Sequence, residues 1–357
     1  MRKITAFVVA ALLAVSVLTG CAGSEPEHFA SKSEGKSTAE SSAENAAEES
    51  GSSTDTAHYP VTVSNFNYAK EAVEYTYEKA PERVITFWSN SLETMLALGL
   101  GDRIICAVGM DEDAVLPELQ DELKKCTENM EYYNDFKDSN AAMSKEAAVM
   151  MEPDFILGWQ SSFSDKTIGD VDYWNENGVG TYMALNSNSI SEQRTLENEY
   201  ADILNIGKIF DVENKAQALV DEMRTEVERI TAATEGREKR SVLIVEFMKD
   251  TIWVYDDTML AGDMVKAMGG DVINAGDIGA EDLLNIDPEV MIVIGDETDV
   301  QSVMENSAYA SLQCVENNDV HSIDLSKVYT SGVRTIHGLN HIGQILYPDL
   351  YAENEAE

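Results

Sequence analysis

Basic residues are scarce in this chain. Its 357 residues carry 25 Lys and Arg against 65 Asp and Glu, a formal charge of -40. No Lys/Arg cluster interrupts that balance, so a nucleic-acid partner, which needs a basic face, is not expected. The acidity suits solubility in an exposed environment. Histidine is almost as rare, with five residues. His28 and His58 lie in or beside polar, unpatterned chain and make poor ligands, while His321, His337 and His341 come late. A bare zinc or manganese site drawing on both halves of the chain is therefore not expected. His337 and His341 have helical i, i+4 spacing, but no Glu follows His337 as a zinc protease needs. No G-x-S-x-G, Walker sequence or Cys–His pair suggests a nucleophile. The four cysteines show no C-x-x-C spacing. Beyond Cys21 they number three, and Cys106, in the apolar run 104–108, reads as core.

Long apolar runs are also lacking, apart from 4–18. At about 15 residues, that run is short for a membrane span. Arg2 and Lys3 precede it and Leu18-Thr19-Gly20-Cys21 ends it, which resembles the lipobox of bacterial lipoproteins. The resemblance implies cleavage before Cys21 and lipidation of its thiol. Residues 1–20 then form a signal peptide and 21–58 a Ser/Glu/Ala-rich tether that cannot bury enough apolar surface to order itself.

From residue 59 the pattern changes. Alternation over 59–79 predicts a β-hairpin. Strands are predicted at 84–88, 104–109, 155–159, 181–185, 242–247, 251–255 and 290–294, alternating with helices at 91–98, 145–151, 191–210 and 261–268. Ser189 and Glu192 form a candidate capping box. Such alternation predicts an α/β fold with mainly parallel sheets.

The longest element predicted is a helix over 211–236. Ala216, Leu219, Val220, Met223, Val227 and Ile230 make its apolar stripe, with Asp211 as start cap and Gly236 at its end. The chain around it repeats. Glu146 precedes Pro153-Asp154 and the apolar 155–157, while Glu281 precedes Pro288-Glu289 and the apolar 290–293. Two lobes of like architecture, 59–210 and 237–357, joined by one long helix with a ligand cleft between them, account for this placement.

Pro81-x-Arg83-Val84-Ile85 followed by 91–102 (SLETMLALGLGD), with Ser331-Gly332-Val333-Arg334, Gly338-Leu339 and Tyr347-Pro348-Asp349 near the end, resembles the iron-siderophore, haem and cobalamin substrate-binding proteins of ABC importers. The resemblance runs from about residue 81 to 351. It implies that a chelate sits between two α/β lobes joined by a long helix. It also implies that Glu146 and Glu281 dock on a membrane permease served by separate ATPase subunits. Trp88 departs from the family's frequent Ser, Leu92 from Thr and Val333 from Pro.

Arg334 offers a planar fork of donors for chelate oxygens, or else an ion pair with a nearby acid. Trp88, Trp159, Trp253 and Tyr255 fall at or near strand ends, where open α/β sheets meet their ligands. Asn90 and Gln160 add hydrogen-bonding groups, and Trp174 reads as core. The expectation is a monomeric, lipid-anchored binding protein with no catalytic residues, no metal site and no cofactor, its cargo a ferric siderophore or similar chelate. Cobalamin, or haem held by a residue such as Tyr132, Tyr133 or Met110, is the alternative in the same class. A surface-anchored chelatase-like enzyme or a sensor is the alternative from another.

Overall fold

The structure, a computed structural model, describes residues 58–133, 143–187, 193–249 and 251–352. An antiparallel hairpin comes first, β1 (Val61–Phe66) against β2 (Ala72–Tyr77). Five strands then build the first sheet: β3 (Val84–Phe87), β4 (Ile104–Val108), β5 (Glu131–Tyr133), β6 (Phe155–Gly158) and β7 (Gly180–Met183). All are parallel, in the order β5-β4-β3-β6-β7. The strand order reverses between β3 and β6, which makes their carboxyl ends the topological switch point.

The second sheet takes β8 (Ser241–Phe247), β9 (Ile252–Val254), β10 (Asp271–Val272), β11 (Val290–Ile294) and β12 (Val320–Ile323). Its order is β10-β8-β11-β12, parallel throughout, with β9 added antiparallel to β8. All seven predicted strands are present to within a residue or two. The short strands β5, β10 and β12 carry too little pattern to be seen in advance.

Between the sheets runs the connecting helix Glu213–Ala233, whose 21 residues reach about 30 Å at 1.5 Å each. Its start differs from expectation. Val212 is the cap, without a side-chain bond, and Asp211 takes φ 56° just before it. Gly236 lies beyond the last turn at φ 77°, a conformation that suits glycine. The preceding helix, Leu196–Ile209, is capped by Thr195, whose hydroxyl accepts from Asn198 N at 3.2 Å. The expected cap residues Ser189 and Glu192 fall outside the described residues. His58, read as tether, packs against the last turn of this helix, where a ring nitrogen meets the Lys208 carbonyl at 2.8 Å.

Alternation along the strands sorts side chains into layers. Ile85, Phe87, Cys106 and Val108 face an outer core of the first lobe, while Leu243, Val245, Met291 and Val293 face an outer core of the second. The inner faces meet in one shared cluster. It contains Val84 and Phe155 of the first sheet and Val242, Ile244 and Ile292 of the second. Ala216, Val220, Met223 and Ile230 of the connecting helix and Leu339 and Ile342 of the terminal helix Thr335–Leu346 complete it. The connecting helix is thus packed along its length and is not a bare strut.

Where it passes Leu196–Ile209, a Cβ added at Gly207 would overlap the Ala216 Cβ. Gly207→Ala is therefore expected to force the helices apart and lower the melting temperature. Overpacking of this kind costs about 1–3 kcal/mol. An unchanged thermal melt followed by circular dichroism would contradict that close approach.

Candidate functional site

Trp88 follows strand β3 and turns the chain into the helix Ser89–Ala97 with φ 70° and ψ 154°. Backbone of this kind costs a bulky residue about 1–3 kcal/mol and is retained where surroundings demand it. Trp159 follows β6, the neighbouring strand across the switch point. Their rings lie 5.2 Å apart, centroid to centroid, at 32°. The Trp159 indole N–H donates to Asn90 Oδ1 at 3.0 Å, which fixes the ring. From the second lobe Tyr329 approaches Trp159 to 5.7 Å, and the Arg194 guanidinium lies 4.9 Å from the Tyr329 ring centre.

These rings wall a cavity of about 330 Å³ between the sheets. Trp88, Ser89, Asn90, Gly109 and Trp159 line it from the first lobe; Asp324, Leu325, Ser326, Tyr329, Thr330 and Arg334 line it from the chain after β12. Thr330 Oγ1 is buried there with no hydrogen-bond partner among the described residues. Ser89 and Gly109 also border a hollow at the rim, shared with Met110, Asp111, Glu112, Asp113 and Tyr132.

The sequence candidates divide. Trp88, Asn90, Trp159 and Arg334 come together on the cavity wall. Gln160 does not; its side chain donates to the Tyr68 carbonyl at 3.2 Å and its backbone N–H to Ser187 Oγ. Trp253 on β9 is 44% exposed and outside the lining. Tyr255 is buried, with its hydroxyl donating to Glu246 at 2.7 Å. Trp174 is core, 2% exposed. Glu146 and Glu281 are both exposed in the first turns of short helices, Lys145–Met150 and Ala280–Ile286. Cys21 lies outside the described residues. Tyr329 and Asp324 were missed because they follow β12, a strand of four residues with only two buried.

Arg334 carries an ion pair at the cavity floor. Its Nε and one terminal nitrogen grip both oxygens of Glu93, at 2.5 and 2.6 Å, across the lobe boundary. Further bonds reach the Ala114 carbonyl and Ser326 Oγ. Four bonds leave one of the guanidinium's five N–H groups for anything else. Burial alone would lower the arginine pKa, but the Glu93 bond overrides it and raises the pKa. Asp324 feels partial burial first, which would raise its pKa. Bonds from Ser326, with Arg334 and Lys327 nearby, hold it below the usual carboxylate range instead.

Comparison with known proteins places this geometry. A family model described as periplasmic binding protein matches residues 84–326, well over half of the chain. The chain belongs to the periplasmic binding protein family. A periplasmic binding protein from Veillonella parvula superposes with a TM-score of 0.73 at 30% identity, covering 82% of this chain and 93% of that one. An uncharacterised ABC transporter substrate-binding lipoprotein of Bacillus subtilis, YvrC, is 23% identical over 99% of this chain and 100% of its own. A protein from Saccharomonospora viridis described as an ABC-type Fe3+-hydroxamate transport system shares the fold, with a TM-score of 0.63 at 22% identity, over 81% of this chain and 100% of that one. This periplasmic binding protein is therefore a substrate-binding protein and not an enzyme. No helix among the described residues is long and apolar enough to cross a membrane.

Behind the binding protein's cavity floor, Glu199 accepts the Gly332 N–H and the Asn186 amide, both at 2.6 Å. Gly332 has φ 55°, and a Cβ there would sit 2.6 Å from Thr94 Oγ1, so the turn leading to Arg334 fits only glycine. Burial pushes Glu199 up to about 7 despite those bonds. A carboxyl raised in the folded state binds its proton more readily folded than unfolded. Its stabilising effect is complete below the unfolded pKa and is lost as pH rises through about 7. Glu199→Gln is expected to flatten the fall in melting temperature between about pH 4.5 and 7 relative to the parent. Parallel melting curves for the two proteins across that window would contradict the assignment.

Proposed function

We propose that the protein is a lipid-anchored, extracytoplasmic monomer that captures a ferric siderophore or similar metal chelate and delivers it to an ABC permease. The observation that carries this reading is the wall of Trp88, Trp159 and Tyr329 closing on one cavity from both lobes. Aromatic faces suit a flat or greasy chelate, with Asn90 and Thr330 as polar fixing points.

The charges narrow the cargo. Around the cavity and its rim stand five carboxylates, Glu93, Asp111, Glu112, Asp113 and Asp324, against three cations, Arg194, Lys327 and Arg334. Arg334 is already matched by Glu93. A neutral or cationic chelate, such as a ferric trihydroxamate, suits this balance better than a trianionic ferric catecholate. Tryptophan quenching against ferric hydroxamates, ferric catecholates, haem and cobalamin tests it. Tight quenching by the neutral hydroxamate is expected. Tight binding of the catecholate alone would overturn the charge argument, and of haem or cobalamin alone the siderophore reading.

Glu146 and Glu281, exposed once on each lobe, support docking on a two-fold permease, and the Leu18–Cys21 sequence supports an anchor at Cys21. Converting both glutamates to alanine is expected to abolish chelate uptake by cells while quenching affinity stays unchanged. Uptake at the parent rate would remove the docking role. Uptake lost only through docking would also set aside a chelatase-like or sensory role.

A further inference from the structure

The structure assigns a second binding site, for a divalent transition-metal ion, to His58, Asp211 and Glu213 at the joint before the connecting helix. One nitrogen of His58 is already engaged. Nε2 lies 2.8 Å from the Lys208 carbonyl oxygen, which can only accept, so Nε2 carries the hydrogen. Tyr59 repeats the contact one residue on, its hydroxyl donating to the Ile209 carbonyl at 2.7 Å. The imidazole is thus clamped to the last carbonyls of the helix Leu196–Ile209, with Tyr59 edge-on against it at 4.6 Å.

That clamp leaves Nδ1 facing two carboxylates. It lies 3.4 Å from Asp211 Oδ1 and 3.2 Å from Glu213 Oε1. A neutral imidazole protonated on Nε2 has only a lone pair at Nδ1. Three electron-rich atoms then converge, the imidazole at the C-terminal end of the helix Leu196–Ile209 and the two carboxylates beside the start of the connecting helix. No lysine or arginine pairs with either carboxylate among the described residues. A divalent metal ion placed among them would bind all three atoms at once.

The separations suit a shared metal ion. Nitrogen and oxygen ligands of zinc stand at roughly 2.0–2.2 Å, which sets tetrahedral neighbours about 3.3–3.5 Å apart. The three donor atoms all lie within 4.8 Å of one another. The Nε2–carbonyl bond is also the kind of support that orients metal-binding histidines. One imidazole with two carboxylates suits Zn2+, Co2+ or Ni2+ better than Ca2+ or Mg2+. His321, His337 and His341 are not involved, and none of the three proposed ligands lines the cavity.

Titration of the purified full chain with Zn2+ by calorimetry, in excess Mg2+ to saturate general acidic sites, tests the proposal. Cobalt absorption provides a second readout. The expected result is one Zn2+ per chain and a visible cobalt spectrum without thiolate bands. His58→Gln and Asp211→Asn should each weaken binding by roughly tenfold or more. Zn2+ should raise the melting temperature of the parent and not of the variants. Asp211→Asn removes a half-exposed charge and keeps the fold, so it reads the site even if His58→Gln loosens the helix end. Equal zinc affinity in parent and both variants, or no stoichiometric binding by the parent, overturns the site.

Discussion

Glu93→Ala is expected to destabilise the protein by about 3–5 kcal/mol, the usual cost of removing one partner from a buried ion pair. Glu93 is wholly buried and Arg334 is 8% exposed, so neither can be solvated alone. The same carboxylate accepts the Leu116 N–H at 2.9 Å. Its loss therefore also frees the chain that follows the acidic rim. Urea denaturation should show the loss in the single variant and recover much of it in Glu93→Met/Arg334→Met, where no charge is left unpaired. A loss below about 1 kcal/mol, the size of a surface pair, would show that the bond is not buried in solution. Loss of chelate affinity in Arg334→Ala has to be judged against this effect, because that substitution strands Glu93.

The second large effect concerns Trp159, which touches Trp88, Tyr329 and Asn90 together. Trp159→Ala is expected to weaken chelate binding by roughly 30-fold, about 2 kcal/mol, as anchoring tryptophans commonly do at interfaces. Trp159→Phe keeps a face for stacking but loses the N–H to Asn90, and should fall between the two. Unfolding should change less than binding, since the indole is only half-buried. Unaltered affinity in Trp159→Ala would move the ligand away from the switch point. Both variants can be followed through the fluorescence of the remaining tryptophans.

The fold was largely legible because fully buried parallel strands leave continuous apolar runs, such as 242–245 and 290–294. The connecting helix announced itself by its stripe, although Asp211 does not cap it and instead faces His58. The site was legible only in part. Trp88 and Trp159 follow strands whose runs are obvious, so their placement could be inferred. Tyr329 and Asp324 belong to a loop with no periodicity, and only the tertiary fold brings them across the cleft. Glu93 lies inside the family-like opening stretch, yet its partner is 241 residues away. Pairing over that separation leaves no trace in local sequence. His58 was misread for the same reason, since its surroundings come from residues 208–213 and not from its neighbours.

The shared inner core has a consequence for transport. With one apolar cluster and a buried ion pair crossing the lobe boundary, ligand arrival has little freedom to swing the lobes together. Empty and loaded protein would then present Glu146 and Glu281 at the same spacing. A permease reading only those two points could not distinguish them, and unloaded copies would compete for the same berth. Uptake would then depend on the ratio of filled to empty carriers as well as on chelate concentration. Overproducing the carrier when chelate is scarce would slow import.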